Sequence, residues 1–111
     1  MERNERQGYD FIIRIAGNTH IPCFSAIKAK GYEVTVIYYK DDYSDWCAEK
    51  DNRLFSATDP VELLGLIAMW ELRGDNWRAN DSDHKEYDEL CSNAPEYYYD
   101  EDGYPHLVEN E

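Results

Sequence analysis

One segment near the middle of the chain carries every signal that a helix needs at its two ends. It reads TDPVELLGLIAMWELRG, residues 58–74. Asp59 is a residue type that accepts hydrogen bonds from the free N–H groups of a first helical turn, and Pro60 suits the first helical position. Glu62 stands three residues after Asp59, as in a capping box, and Gly74 follows the last turn. The sequence therefore predicts a helix that begins after Asp59 and ends before Gly74.

The apolar side chains of this helix cover more of its circumference than one contact face requires. On a wheel of about 100° per residue they leave only a narrow polar stripe. We therefore expect the helix to be buried on more than one side, against a sheet and a second cover. That cover is the first helix, the C-terminal segment or another copy of the chain, and in the last case the chain forms a homodimer through residues 61–72. The polar stripe comprises Glu62, Gly65, Met69 and Arg73.

Three segments before this helix predict a mixed fold. Residues 9–16 (YDFIIRIA) and residues 32–40 (YEVTVIYYK) have the β-branched and aromatic composition of strands. Residues 18–31 between them predict a short helix, which Gly31 can end in the left-handed conformation. Two strands joined by a helix of this length are most simply parallel, with a right-handed crossover. Because both faces of residues 9–16 are largely apolar, we expect that strand to be covered on both sides.

The remaining segments predict shorter elements. Residues 41–52 are polar and predict a long loop, and residues 53–57 predict a short strand. Residues 82–92 have apolar side chains at helical spacing, so they predict a third helix with Ser82 or Asp83 as its cap.

Near the C-terminus, Asp102 and Gly103 stand between two strand-like runs, which is a strong hairpin signal. The predicted fold is therefore a small single α/β (α+β) domain with the order β-α-β-β-α, followed by a C-terminal helix and an acidic hairpin. Its parts are a flexible N-terminus at residues 1–7, an α/β core at residues 8–78 and an acidic, tyrosine-rich segment of the same domain at residues 79–111.

The charge of the chain is concentrated in its last third. The formal net charge is −13, and residues 79–111 contain eleven acidic residues against one base, Lys85. The same residues hold five of the ten tyrosines, including the run Tyr97, Tyr98 and Tyr99. Tyrosine offers a large contact area with little loss of conformational freedom, and carboxylates steer basic partners and accept hydrogen bonds from arginine. This combination predicts a surface that binds a positively charged partner.

The predicted function is that of a non-enzymatic acidic binding protein that occludes a basic surface of a partner protein. The partner is either a nucleic-acid-processing protein, inhibited by a nucleic acid mimic, or a toxin, neutralised by an immunity-type protein. Direct binding of nucleic acid is disfavoured by the negative field of the chain. A solubilising tail whose tyrosines pack back on the fold is the structural alternative. The predicted contact residues are Asp88, Glu89, Tyr97, Tyr98, Tyr99, Asp100, Glu101, Asp102 and Tyr104.

The alternative function is a small ligand-binding, nucleotide-binding or catalytic domain. The turn after the first predicted strand resembles, in outline, the phosphate-binding turns of α/β proteins, but neither GxGxxG nor GxxxxGK(S/T) is present. On the helical wheel the Glu71 carboxylate lies beside apolar positions, where it either titrates in a pocket or pairs with an arginine at the rim of the core. No catalytic signature is present, so an enzyme is not predicted. The residues of this alternative site are Gly17, Asn18, Thr19, His20 and Glu71.

Metal, membrane and redox signals are weak. The acidic clusters at residues 81–84 and 100–103 do not match the spacing of an EF-hand loop, so neither a metal nor a cofactor is predicted. No apolar run reaches the roughly 18 residues of a membrane helix, and the N-terminus lacks the apolar core of a secretory signal, so we expect a cytoplasmic protein. The cysteines are widely spaced and predict reduced, mostly buried thiols. They are Cys23, Cys47 and Cys91.

Overall fold

A computed structural model of the chain describes residues 8–109. These residues contain three α-helices and two antiparallel sheets, so the predicted mixed fold class is confirmed. The chain divides into two compact units, with the boundary between Asn76 and Trp77. The flexible N-terminus predicted for residues 1–7 lies outside the described residues. The helices are α1 (His20–Ala29), α2 (Pro60–Arg73) and α3 (Asp81–Ser92), and the strands are β1 (Glu33–Tyr38), β2 (Ser44–Lys50), β3 (Arg53–Ala57), β4 (Tyr97–Tyr99) and β5 (Pro105–Leu107).

The first unit is built on a three-stranded antiparallel sheet in the order β1-β2-β3. Val34 in β1 lies opposite Ala48 in β2, and Ala48 lies opposite Phe55 in β3. These side chains belong to the core that α1 and α2 cover. The predicted parallel pairing of residues 9–16 with residues 32–40 is wrong, because residues 9–16 form no strand. The pairs that this sheet does contain join consecutive strands through short connections, and such connections give antiparallel pairs.

The central strand β2 lies within residues 41–52, where the sequence predicts a loop, and that prediction is wrong. Trp46 and Ala48 pack with the core, while the alternating positions Asp45 and Glu49 lie on the opposite face. Few of these residues have high strand propensity. The strand forms because it pairs with neighbours on both sides, and tertiary pairing overrides local preference.

The segment at residues 9–16, predicted as the first strand, contains no strand. The described chain therefore begins α-β-β-β-α, and the first element of the predicted order is wrong. A strand requires a neighbour for its backbone groups, and no strand among residues 8–109 pairs with this segment. Its large apolar side chains are between 52% and 78% exposed. They are Tyr9, Phe11, Ile12, Ile13 and Ile15.

The core of the first unit lies between the helices and one face of the sheet. Ile27 of α1 and both Leu63 and Ile67 of α2 are fully buried there, beside Ala48 and Tyr32. Leu63 and Ile67 are four residues apart, so they lie on one stripe of α2. That stripe attaches α2 to the sheet.

The opposite side of α2 is open to solvent. Ala68 is exposed, and Leu72 is 88% exposed. Within residues 8–109 the helix packs against both the sheet and α1, so the first helix is the second cover that was expected. Only the side that carries Ala68 and Leu72 has no cover there. The wheel counted apolar side chains, whereas burial requires a neighbour to cover them.

The predicted ends of α2 are confirmed. Asp59 Oδ1 accepts a hydrogen bond from the backbone N–H of Glu62 at 2.8 Å. The Glu62 carboxylate accepts from the backbone N–H of Thr58 at 3.2 Å, one residue earlier than in a standard capping box. Gly74 follows the helix with a φ of 79°, and Gly31 follows α1 with a φ of 97°, a region that favours glycine.

The second unit consists of α3 followed by the β4-β5 hairpin. The side chain of Asn80 accepts from the backbone N–H of Asp83 at 2.8 Å, and the Asp83 carboxylate accepts from the backbone N–H of Asn80 at 3.0 Å. The predicted cap at Ser82 or Asp83 is therefore wrong, since Asn80 is the cap and Asp83 completes the capping box. No residue from 77 to 109 is buried, so this unit has no core among the described residues.

Candidate partner-binding hairpin

A single carboxylate, that of Asp100, organises the turn of the hairpin. Its Oδ1 accepts from the backbone N–H of Asp102 at 3.0 Å and from that of Tyr104 at 2.9 Å. The backbone N–H of Asp100 donates to the Tyr104 carbonyl at 3.0 Å, which closes the loop from Glu101 to Gly103. Gly103 has a φ of 87°. The predicted hairpin is confirmed, and its loop is one residue longer than the tightest Asp-Gly turn.

The second oxygen of the same carboxylate contacts the far strand. Asp100 Oδ2 lies 2.7 Å from His106 Nε2, and the His106 ring stacks on Tyr98 with 5.2 Å between ring centroids. The hydrogen bond with His106, together with that from the backbone of Tyr104, lowers the pKa of the Asp100 carboxyl below its ordinary value of 3.8. Both oxygens of Asp100 are thus engaged inside the hairpin.

The pairing register divides the tyrosine run between the two faces of the hairpin. Residues directly opposite each other share a face, and consecutive residues alternate. Tyr98 lies opposite His106, so their stacked rings occupy one face. The flanking tyrosines lie on the other face. That second face carries Tyr97, Tyr99, Pro105 and Leu107.

The tyrosines of the second unit are exposed. Tyr99 is 72% exposed, and Leu107 on the same face is 51% exposed. No tyrosine between residues 77 and 109 is buried. The hairpin therefore presents phenolic rings to solvent on an ordered scaffold.

The predicted acidic contact residues have different surroundings. Glu101 and Asp102 are exposed at the tip of the loop, and Asp88 is exposed on α3. Glu89 Oε2 accepts from Lys85 Nζ at 3.0 Å across one helical turn, so its charge is partly compensated. The carboxylates without such a pairing are the ones best placed to attract a cationic partner.

The turn of the alternative ligand site forms a short 3₁₀ helix, Gly17–Thr19, at the start of α1. The backbone N–H and the hydroxyl of Thr19 both donate to the Ala16 carbonyl, at 3.1 and 2.7 Å. His20 Nδ1 lies 3.3 Å from the Gly17 carbonyl. Two donors that a bound phosphate would need are therefore used within the turn.

One member of the alternative site, His20, lines a cleft of about 420 Å³ in the first unit. The cleft lies beside the N-terminal ends of α1 and α2. Its walls include His20, Ile21, Phe24, Trp46, Asp59 and Pro60. The other predicted members, Gly17, Asn18, Thr19 and Glu71, are not part of its lining. The structure thus does not bring the five predicted residues together around one cavity.

Glu71 is paired at the surface. Its Oε1 accepts a hydrogen bond from Lys30 Nζ at 2.8 Å, and both side chains are more than one-third exposed. Burial, with the Glu71 carboxylate nearby, raises the pKa of the Tyr32 hydroxyl. The contact between Lys30 and Glu71 joins α2 to the end of α1, so Glu71 has a structural role.

Cysteine and metal chemistry is limited in the described part of the chain. Cys23, Cys47 and Cys91 are free thiols. The first two are half-buried, but Cys91 is exposed, so the expectation of mostly buried thiols is wrong for Cys91. No group of three His, Cys, Asp or Glu side chains between residues 8 and 109 is close enough to hold a metal ion. None of the helices described is long and apolar enough to cross a membrane.

Sequence reasoning missed a second polar cluster, at the C-terminal end of α2. Asp75 Oδ1 accepts from Trp70 Nε1 at 2.8 Å and from the Arg53 guanidinium at 2.9 Å, and that guanidinium lies 4.7 Å from the Trp70 ring centroid. The Trp70 hydrogen bond and the Arg53 charge lower the pKa of Asp75. No spacing in the sequence indicates this contact. Counting outward from Asp102 and Gly103 as a two-residue turn would place His106 opposite Tyr99, whereas the longer loop places it opposite Tyr98.

Comparison with known protein families, with curated proteins and with solved structures finds no match to this chain. Its function must therefore be inferred from its own residues and their geometry.

Proposed function

We propose that the chain is a non-enzymatic acidic binding protein that occludes a basic surface of a partner protein in the cytoplasm. It acts as an inhibitor, either as an immunity-type protein against a toxin or as a nucleic acid mimic against a nucleic-acid-processing protein. The single observation that carries the proposal is the exposure of Tyr99 on a hairpin whose loop tip displays Glu101 and Asp102. A cationic partner gains contact area from the ring and charge pairing from the carboxylates.

In this proposal the residues of the surface have different roles. Tyr99 and Leu107 provide the apolar contact area, and Glu101 and Asp102 provide the steering charge. Asp100 acts through the turn that it holds, because both of its oxygens are engaged there.

The remaining predicted contact residues also differ in their roles. Tyr98 supports the hairpin through its stack on His106, Tyr104 adds an exposed ring beside the loop, and Asp88 adds negative charge on α3. Tyr97 shares the face of Tyr99, and Glu89 contributes less charge because Lys85 pairs with it.

The charge distribution supports a protein partner and not a nucleic acid. The net charge of −13 repels phosphates, and the last third holds most of it. Carboxylates on an ordered hairpin replace phosphates as the charge that a basic groove binds. The same reasoning supports both an inhibited nuclease-type protein and a basic toxin as partner.

Capture from host lysate at low and high salt, with the full chain immobilised, tests this function. We expect a basic protein that is retained at low salt and released at high salt. With the purified partner, Glu101→Lys combined with Asp102→Lys should lower the association rate by about tenfold or more. The matched control is Asp41→Lys with Glu49→Lys, which changes the net charge equally on the first unit and should have a smaller effect. A partner bound without salt dependence would contradict electrostatic occlusion.

A second candidate function rests on the cleft beside His20. Its aromatic and aliphatic lining, which also includes a histidine and a carboxylate, is typical of small-ligand sites. Calorimetric titration of the full chain with nucleotides and with uncharged aromatic ligands tests this candidate. Saturable binding that His20→Ala removes would support the ligand-binding function over the acidic-hairpin function.

A further inference from the structure

Among residues 8–109, the strand-like segment 9–16 pairs with no strand, and the edge strand β1 has one unpaired side. The large apolar side chains of residues 9–16 are exposed, although their composition is that of a strand. β1 is an edge strand in the order β1-β2-β3, and no strand of residues 8–109 lies on its free side. Exposed apolar segments and unpaired edges are both sites of chain association.

The register identifies the backbone groups that this edge offers. The backbone N–H of Tyr39 donates to the Tyr43 carbonyl at 2.7 Å, so these two residues form a hydrogen-bonded pair. Hydrogen-bonded and non-hydrogen-bonded pairs alternate along antiparallel strands. Val34, Val36 and Tyr38 therefore direct their N–H and C=O groups away from β2 and toward solvent.

We infer that residues 9–16 of one copy add as an antiparallel strand to the free edge of β1 in a second copy. Reciprocal exchange of the two segments closes a twofold dimer in which both edges and both segments are paired. The strong negative charge of the chain does not oppose this contact. Residues 8–40 contain four basic residues and two acidic ones, since the acidity lies in the last third.

The apolar pattern of the segment matches the two faces of the sheet. In the register that we propose, Phe11 lies opposite Val36 and Ile13 lies opposite Val34. Val34 packs against the core on the helix-covered face, and Val36 shares that face by alternation. Phe11 and Ile13 would therefore extend the helix-covered face of the sheet, and the contact would reduce their exposure to solvent.

The charges select the same register. Glu33 and Glu49 lie directly opposite each other on the outer face of the sheet, and like charges in such pairs are destabilising. The register places Arg14, which is exposed, opposite Glu33 on that face. The incoming strand thus supplies a cation where the sheet has two adjacent carboxylates.

The chain cannot make this antiparallel contact with its own edge. The register places Ile15 opposite Tyr32, beyond the C-terminal end of α1, whereas Ala16 is held by hydrogen bonds at the start of that helix. The ten residues of α1 span about 15 Å, which separates these positions. Parallel pairing with its own edge, in the register that places Phe11 opposite Val34, would instead bring Asp10 opposite Glu33, two like charges. A second copy is therefore the occupant that fits.

Sedimentation velocity of the full chain over a range of concentrations tests the dimer. We expect dimers, and we expect Ile13→Asp to raise their dissociation constant by about a hundredfold, since two copies of the contact are lost. Leu72→Asp is the matched control, because it places the same charge on an even more exposed apolar side chain of α2. It should leave the dissociation constant unchanged.

A charge exchange tests the register itself. Arg14→Glu should weaken the dimer by on the order of tenfold, and adding Glu33→Arg should restore it. Amide hydrogen exchange at Val34 and Val36 should be slow in the dimer and fast in Ile13→Asp.

Three results would overturn the inference. The first is a wild-type chain that stays monomeric. The second is a dimer that Leu72→Asp dissociates and Ile13→Asp does not, which would place the interface on residues 61–72. The third is slow amide exchange at Val36 in a monomer, which would mean that the segment pairs with its own edge. All three are independent of the acidic hairpin and of its proposed partner.

Discussion

His106 Nε2 lies 2.7 Å from Asp100 Oδ2, and this contact joins the second strand of the hairpin to its turn. The other oxygen of Asp100 accepts the backbone N–H groups of Asp102 and Tyr104. The order of the loop and the position of the His106 ring therefore depend on one ionised carboxylate. Since the proposed contact residues flank this turn, we expect the charge of Asp100 to affect partner binding through the structure of the turn.

We expect the hairpin to lose order when the pH falls through the folded-state pKa of Asp100. Folding lowers this pKa, so the stabilisation is fully present above the unfolded value, near 3.8, and is lost as the pH drops through the lower folded value. A titration followed by NMR, using the amide shifts of Asp102 and Tyr104, measures this. The amide of Leu63, in the core, serves as the control. Loop amides that keep their shifts while Asp100 takes up its proton would contradict this role.

The two faces of the hairpin should respond differently to loss of a tyrosine ring. Tyr98→Ala removes the ring that stacks on His106, so the His106 ring resonances should shift and contacts between β4 and β5 should weaken. Tyr99→Ala removes an exposed ring on the other face and should leave those resonances unchanged. When a partner is present, Tyr99→Ala should weaken binding more strongly than Tyr98→Ala does.

Two substitutions on α2 separate its buried stripe from its open side. Ile67→Ala should lower the free energy of unfolding by about 2–5 kcal/mol, because Ile67 is fully buried and its removal leaves a cavity. Leu72→Ala, on the open side, should change it by less than about 0.5 kcal/mol. Urea unfolding of both variants provides the comparison. Equal losses of unfolding free energy in the two variants would indicate that Leu72 is covered in solution.

The N-cap of α2 should contribute measurably to stability. Asp59→Ala removes the acceptor for the Glu62 backbone N–H and should lower the free energy of unfolding by about 0.5–2 kcal/mol. Asp59→Asn keeps an acceptor oxygen and should stay close to the wild type. Thermal and urea unfolding of the two variants test the cap, and an Asn variant as unstable as the Ala variant would show that charge matters more than hydrogen bonding.

Local signals predicted the helices and the hairpin well. The caps at Asp59 and Gly74 bound α2, and Asp102 with Gly103 marked the hairpin loop. These features depend on residues close together in the chain, whose side chains satisfy nearby backbone groups.

The strands were harder to predict because a strand depends on its neighbours. Residues 9–16 have ideal strand composition and form no strand, while the polar residues of β2 form the centre of the sheet. The apolar side chains of α2 also differ in burial, since Ile67 is fully buried and Leu72 is exposed. In each case the outcome depended on which other segment was available to pair or to cover.

The sequence alone determined the ends of α2, the position of the hairpin and the concentration of negative charge in the last third, because each depends on adjacent residues or on composition. Only the tertiary structure decided which strands pair, that Tyr99 faces solvent while Tyr98 stacks on His106, and that Asp100 is used within the turn. These relationships depend on register and on contacts between distant residues, which local preferences do not encode.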